Sequence, residues 1–394
     1  MVPKLVVLEQ ISYLGKRRVE SLFSIIHLRH RRIPWSHPLF VLTLLLVTTA
    51  ATILTTSCGK EMDIGTVPDD PVPTSNTSVD LIPTNTYPTI IVDTNPPTHQ
   101  DPTPSSINSN FTINSILCAD KIGPDCANLR LGDNYITTST PAQGYLYSCA
   151  GKNPHAPGSR KAKITWIDFI NETWTFLEKL WLPRGSFATE QGSYTETLSS
   201  NKREISINNL PVDGKIGDWP MTSYPILTDI DPNPGIPKPN GFSFSYPINP
   251  ERLNEPSCVS QGPIGITTNG VVIYNAADAR GDDAVAHEII DEFGGHPAMS
   301  DYHYHFIPDR LDTKVLTNGH SGVVGYINDG FPIHGYRGIG GVEMTNDDLD
   351  LCHGHQDADL SYHYHATLEY PYTIGCYKGA PISIDNKLNR PARP

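Results

Sequence analysis

The feature that most constrains this chain is a short histidine motif that occurs twice, at 295–305 and 354–365. Each copy reads Gly-His, then five or six residues, then Tyr-His-Tyr-His. Side chains at positions i and i+2 share one face of a β-strand, whereas the same spacing in a helix separates them. The motif therefore predicts two strands, each with a pair of imidazoles on one face and a pair of phenols on the other.

The paired histidines indicate metal binding, because two imidazoles on one strand face can hold one ion and a third ligand completes an open site. Ten of the 15 histidines lie between His287 and His365. Ligation by imidazole alone suits Zn, Cu(II), Ni or non-haem Fe. The two copies are compatible with two separate sites or with adjacent strands around one site. The candidate ligands are His296, His303, His305, His355, His363 and His365, followed by His287, His320, His334 and His353.

Three carboxylates near these histidines are candidate catalytic residues, namely Glu288, Asp291 and Asp329. They would serve a metal-dependent enzyme, as ligand, proton acceptor or hydrogen-bond partner of a ligand.

Two partial motif matches give alternative assignments. The spacing of His363, His365 and Glu369 resembles the metal motif of cupins and would indicate a jelly-roll oxygenase or binding protein. Residues 287–296 resemble a long zinc-protease motif, with a helix that supplies His287 as ligand and Glu288 as general base. In that motif Asp291 replaces the second histidine.

The composition favours a turn-rich β domain, because charged residues make up only 18% while the chain has 35 Pro and 31 Gly. Short alternating runs such as 164–169 and 204–207 predict strands. We predict a mainly β fold (β-sandwich or jelly-roll-like) with one short helix near 283–293. Asp282 or Asp283 would cap this helix, and Gly294-Gly295 would end it.

The N-terminus resembles an export signal, with a basic flank, an apolar segment at 38–57 and then Cys58. Residues 54–58 resemble a bacterial lipobox, which makes Cys58 the candidate for lipidation and for membrane anchoring; the alternative is an uncleaved signal anchor. Either predicts an extracytoplasmic protein, at the outer membrane, the cell surface or in the periplasm. Residues 1–58 are thus predicted to be a basic leader and lipoprotein-type signal. Residues 59–110 are predicted to be a disordered tether rich in Pro, Thr, Ser and Asn, and 111–394 a single domain.

The cysteines predict disulfides, and the net charge limits the kinds of binding partner. Six cysteines besides Cys58 are compatible with three disulfides, and we expect local pairs Cys118–Cys126 and Cys352–Cys376. The formal net charge of −13 argues against nucleic acid as a partner.

The pattern as a whole resembles the YHYH domain family of exported, mostly bacterial proteins, over most of residues 130–380. The matching segments include Asp283–Glu288, Gly295–Pro297 with Tyr302–His305, Asp329–Gly335 and Tyr370–Cys376. The resemblance implies an exported, histidine-rich, metal-binding protein but no particular reaction.

These observations leave three hypotheses for function. The leading one is an exported, lipid-anchored protein that binds a transition metal through paired strand histidines. The second is a metal-dependent enzyme, a hydrolase or a cupin-like oxygenase, acting on an extracytoplasmic small-molecule or surface substrate. The third is an adhesion or carbohydrate-binding domain without metal.

Overall fold

The structure, a computed structural model, describes residue 118 and residues 124–186 and 191–383. The predicted leader 1–58, its Cys58 and the predicted tether 59–110 lie outside the described residues. Across the described part of the chain, no helix has the length and apolar character needed to cross a membrane.

Strands dominate the described residues, which confirms the prediction of a mainly β domain. The two α-helices are short, α1 at Pro225–Ile230 and α2 at Ala284–His287. The strands are β1 Leu129–Arg130, β2 Ile136–Thr137, β3 Leu146–Tyr147, β4 Ile167–Asp168, β5 Thr173–Trp174, β6 Trp181–Leu182, β7 Tyr194–Leu198, β8 Lys202–Ile207, β9 Phe242–Pro247, β10 Pro263–Thr267, β11 Val272–Tyr274, β12 Ile290–Asp291, β13 Gly295–Ala298, β14 Asp301–Tyr304, β15 Val323–Ile327, β16 Pro332–His334, β17 Gly354–His355 and β18 His363–His365.

An eight-stranded sheet organises the domain, in the order β13-β14-β11-β10-β15-β16-β18-β17. The second half of this order repeats the first half in reverse. At the centre, β10 and β15 are antiparallel, with Ile266 opposite Tyr326. The flanking pairs are Gly265–Ile327 and Thr267–Gly325. Adding 60 to the number of Gly265 and subtracting 60 from that of Ile327 gives the second pair, so the two pairs are equivalent. The sheet therefore has a pseudo-two-fold axis between β10 and β15.

The same symmetry separates the two histidine strands. β14 and β18 are equivalent, but four other strands lie between them. The arrangement with adjacent strands around a single site is therefore ruled out.

Glycines allow the two halves to meet closely at the axis. A Cβ atom on Gly265 would lie 2.6 Å from the Tyr326 carbonyl oxygen, and one on Gly325 would lie 2.3 Å from the Ile266 oxygen. Only glycine fits at such a separation, because a side chain there would force the central strands apart.

A smaller sheet, in the order β7-β8-β9, packs against the large one. Its aromatic residues Phe242, Phe244 and Tyr246 join Ile266 and Val272 of the large sheet in one buried cluster. Alternate residues of β9 are buried, as expected for a strand with one face on the core. The smaller sheet thus covers the centre of the large sheet.

The predicted helix near 283–293 is present but stops early. Asp283 caps α2 by accepting a hydrogen bond from the Ala286 amide at 3.2 Å. Glu288 is already extended, with ψ 151°, and β12 follows and pairs with β6. Residues beyond His287 are therefore not helical, and Asp291 does not share a helix face with His287. Helix α1, which has Pro225 at its first turn, had no counterpart in the sequence prediction.

Three disulfides join the six cysteines of the described chain. Cys118–Cys126 and Cys352–Cys376 are the two predicted pairs, and both are confirmed. The third, Cys149–Cys258, joins segments that are 109 residues apart.

Candidate metal centres

The first copy of the motif forms a cluster of three imidazoles, here called the first centre: His296, His303 and His305. The hairpin of β13 and β14 places His296 directly opposite His303. His303 and His305 extend to the same side, and their Nε2 atoms are 3.1 Å apart. One nitrogen from each ring lies within 4.8 Å of the others, close enough to share an ion.

The second copy forms a cluster of four imidazoles, here called the second centre: His320, His355, His363 and His365. The β17–β18 hairpin places His355 opposite His363. His320 comes from the loop before β15, and its Nε2 lies 3.1 Å from that of His363. His334 lies beside the centre, its ring centroid 4.5 Å from that of His363, but it is not one of the four.

Backbone carbonyls fix the tautomer of the Tyr-His-Tyr-His histidines at both centres. At the first, Nδ1 of His303 donates to the Asp301 carbonyl at 2.9 Å, and Nδ1 of His305 donates to that of Asn275. At the second, His363 and His365 donate in the same way to Ser361 and Gly335, at 2.8 and 2.7 Å. A carbonyl only accepts, so each Nδ1 carries the proton and, in a neutral ring, each Nε2 presents a lone pair.

Burial keeps these imidazoles neutral. It lowers the pKa of His305 and His363 to about 4, and holds the pKa of His296, His303 and His365 well below the usual histidine value. Neutral rings with lone pairs facing one another at 3.1 Å repel unless a cation lies between them. The donor set therefore fits a transition-metal ion at each centre.

Some buried polar atoms at the two centres lack a hydrogen-bond partner. They are both ring nitrogens of His296 and Oε2 of Glu288 at the first centre, and Oδ2 of Asp357 at the second. Buried polar atoms are rarely left without a hydrogen bond, so these atoms are compatible with a bound group, although similar atoms occur elsewhere in the described domain.

The tyrosines of both motifs anchor the opposite face of their strands. Tyr302 donates to Asp291 at 2.7 Å, and Tyr364 donates to Asp329 at 2.6 Å. Asp291 also accepts from the amides of Gly217 and Gly295. Two of the three candidate catalytic carboxylates, Asp291 and Asp329, thus hold the strands in place on the face away from the imidazoles.

Glu288 is the candidate carboxylate that lies at a metal centre. Its Oε2 is 3.2 Å from Nε2 of His296 and 3.6 Å from Nε2 of His305. Burial and the neighbouring Asp278 and Asp231 raise its pKa well above the usual value. Its side chain remains 16% exposed, toward a cavity of about 1070 Å³ that the three imidazoles of the first centre also line.

Two of the weaker histidine candidates lie elsewhere. His287 contacts Asp133 through Nε2 at 2.8 Å, and His353 contacts the Thr367 hydroxyl at 2.9 Å. The long zinc-protease match is therefore wrong, because His287 does not join His296.

The cupin match is also wrong. Glu369 accepts a hydrogen bond from the Asn346 amide at 2.6 Å and is not part of the second centre. The two histidines of that motif instead find their further ligand candidates in His355 and His320.

Two neighbours of the centres were not predicted. Asp357 approaches Nε2 of His320 to 3.7 Å, and the Tyr274 ring stacks on His303 with centroids 3.9 Å apart. Asp357 lies inside the second motif, and this position could have identified it as a neighbour of the second centre. Tyr274 could have been identified only by aligning the chain with itself at an offset of 60 residues, where Tyr274 aligns with His334.

Comparison with known families supports the resemblance seen in the sequence. Residues 243–344 match the family model described as YHYH protein. The matched segment contains the first centre together with His320 and His334, and it ends before the second motif. No curated protein and no solved structure matches the chain.

Proposed function

We propose that this chain, which carries a YHYH domain, is an exported metal-binding protein whose two histidine centres each hold one transition-metal ion. The observation that carries the proposal is the convergence of unprotonated Nε2 atoms at both centres. The Nδ1 protons of His303, His305, His363 and His365 are committed to backbone carbonyls, so these four rings are already oriented as ligands.

Metal analysis of the purified protein tests the proposal. We expect two ions per chain in the parent, and one in each of the double variants His303→Ala/His305→Ala and His363→Ala/His365→Ala. Removal of two imidazoles leaves too few ligands at the altered centre. His155 is exposed and belongs to neither centre, so His155→Ala should keep both ions.

A full metal content in either double variant would contradict the assignment of that centre. A parent protein that binds no metal but is retained on glycan material would instead favour the adhesion or carbohydrate-binding hypothesis.

Export and lipid anchoring through Cys58 are part of the same proposal. Three disulfides support an oxidising compartment, and the basic flank, apolar segment and cysteine at 38–58 support a lipoprotein signal. We expect Cys58→Ser to move the protein from the membrane fraction to the soluble fraction of cells, because it removes the acylated side chain. Ser57→Ala is the matched control and should stay with membranes. Equal membrane retention of both variants would favour an uncleaved signal anchor.

A further inference from the structure

We propose that the first centre, and not the second, takes a ligand from solution, and that this ligand is an uncharged or cationic molecule with a nitrogen or oxygen donor atom. The inference rests on the metal binding proposed above and assigns different roles to the two centres.

The number of protein ligands differs between the centres. Three imidazoles converge at the first and four at the second. Sites with three protein ligands keep a coordination position for water or substrate, whereas four ligands close a tetrahedral site. Glu288 Oε2 lies 3.2 Å from Nε2 of His296, but it is not one of the ligand atoms that all lie within 4.8 Å of one another. The first centre therefore has room for an exogenous donor that the second lacks.

The difference arises at positions that the pseudo-two-fold axis makes equivalent. His320 of the second centre corresponds to Ser260, and His334 beside it corresponds to Tyr274. The first half of the sheet thus has no imidazole where His320 supplies the fourth ligand. Tyr274 instead covers one side of His303 with its ring.

Access also distinguishes the first centre. Its three imidazoles line the cavity of about 1070 Å³, large enough for a small molecule or for part of a longer chain. Glu288 lines the same cavity, and its Oε2 lies 3.2 Å from Nε2 of His296. A molecule bound at the open position would meet this carboxyl group, which accepts a hydrogen bond from a protic donor through an unprotonated oxygen.

The charge of the cavity wall selects the ligand. Four carboxyl groups line it, on Asp231, Asp278, Glu288 and Asp301, and Lys238 is the one basic side chain of the lining. Burial raises the pKa of Asp231 and Asp278, and holds that of Glu288 well above its usual value, so these groups carry less than full negative charge. The carboxylates of the wall that are ionised repel an anion at close range. Phosphate esters and sulfated glycans are therefore disfavoured relative to neutral polar or cationic molecules.

The test uses the Co(II)-loaded full chain, with metal content measured first. The protein is titrated with imidazole, a neutral donor, and with azide, an anion, while the visible Co(II) spectrum is followed. We expect imidazole to change the spectrum saturably in His363→Ala/His365→Ala, which keeps the first centre. It should leave the spectrum of His303→Ala/His305→Ala unchanged.

A second pair of substitutions tests the charge of the ligand. Asp278→Asn/Asp301→Asn should raise the affinity for azide by about tenfold and that for imidazole by less than about twofold, because it removes two ionisable carboxyl groups from the wall. Should a double-histidine variant fail to fold, the parent and Asp278→Asn/Asp301→Asn decide together: imidazole should alter the signal of one of the two Co(II) ions, and the substitutions, which lie in the cavity of the first centre, should change the azide affinity of that same ion.

Each outcome bears on a separate step. Absence of bound Co(II) would overturn the proposed function itself. Bound Co(II) with a spectrum that neither probe changes, or a response only from the second centre, would overturn the inference and leave metal binding intact. An azide affinity that is the same in the parent and in Asp278→Asn/Asp301→Asn would overturn the assignment of ligand charge.

Discussion

At the residue scale, the protonation of single ring nitrogens decides what the histidine clusters can do. Each imidazole of the two Tyr-His-Tyr-His segments gives its Nδ1 proton to a carbonyl two residues back, as in His303 and His363, or on a neighbouring loop, as in His305 and His365. The i, i+2 spacing was enough to predict which histidines share a face. It did not reveal the carbonyl partners, because Asn275 and Gly335 reach the site through strand pairing with residues distant in sequence.

The low histidine pKa values predict how the metal-free protein responds to acid. The pKa of His305 and of His363 is about 4 in the folded state, below the ordinary value of 6.5. Between these values the unfolded chain binds protons that the folded chain does not, so the free energy of unfolding falls as pH decreases. From pH 7 to pH 5 we expect a loss of up to about 2 kcal/mol per buried imidazole.

Urea denaturation of the metal-free protein at the two pH values measures this loss. Burial raises the pKa of Asp283 to about 6, which acts in the opposite direction, so the comparison needs a variant. His363→Ala/His365→Ala should lose less stability than the parent over the same interval. An identical pH dependence in parent and variant would show that these imidazoles already protonate freely in the folded state.

At the scale of elements, the Gly-His that precedes each Tyr-His-Tyr-His has a packing explanation. A Cβ atom on Gly295 would lie 2.3 Å from Cζ of Tyr302, and one on Gly354 would lie 2.5 Å from the hydroxyl of Tyr362. In each hairpin the tyrosine crosses the glycine, and this contact lets the strands place His296 and His355 opposite their partners.

Substitution of these glycines should remove one ion at a time. We expect Gly295→Ala to displace Tyr302, to cost about 1–3 kcal/mol of stability and to abolish metal binding at the first centre only. Gly354→Ala should act in the same way on the second centre. Metal content and denaturation midpoints measure both effects, and Gly151→Ala, where an added Cβ meets nothing within 4 Å, is the matched control. Retention of two ions by Gly295→Ala would show that the hairpin does not control the centre.

At the scale of the whole molecule, the sequence identified the strand histidines, the β class and two of the three disulfides. It could not provide the order of the large sheet, because that order depends on pairing between segments about 60 residues apart, such as β10 with β15. For the same reason His320 ranked as a weak candidate: it lies outside both motifs and reaches the second centre only through the fold. The short helix was extended too far, since the polar and apolar spacing of 288–293 fits a helix as well as the strand that forms there.

The pseudo-two-fold order of the large sheet predicts how paramagnetic ions at the two centres would interact. The strands that carry the two imidazole pairs are five strand spacings apart in the sheet, which places the two centres roughly 24 Å from each other. Dipolar coupling between unpaired electrons falls with the cube of distance, and no side chain of either centre bridges to the other. With Cu(II) at both centres, the electron paramagnetic resonance spectrum should equal the sum of the spectra of the two double-histidine variants. A half-field transition, or signal intensity missing from that sum, would require two ions in contact. The protein is therefore expected to hold two isolated spins rather than one dinuclear cluster.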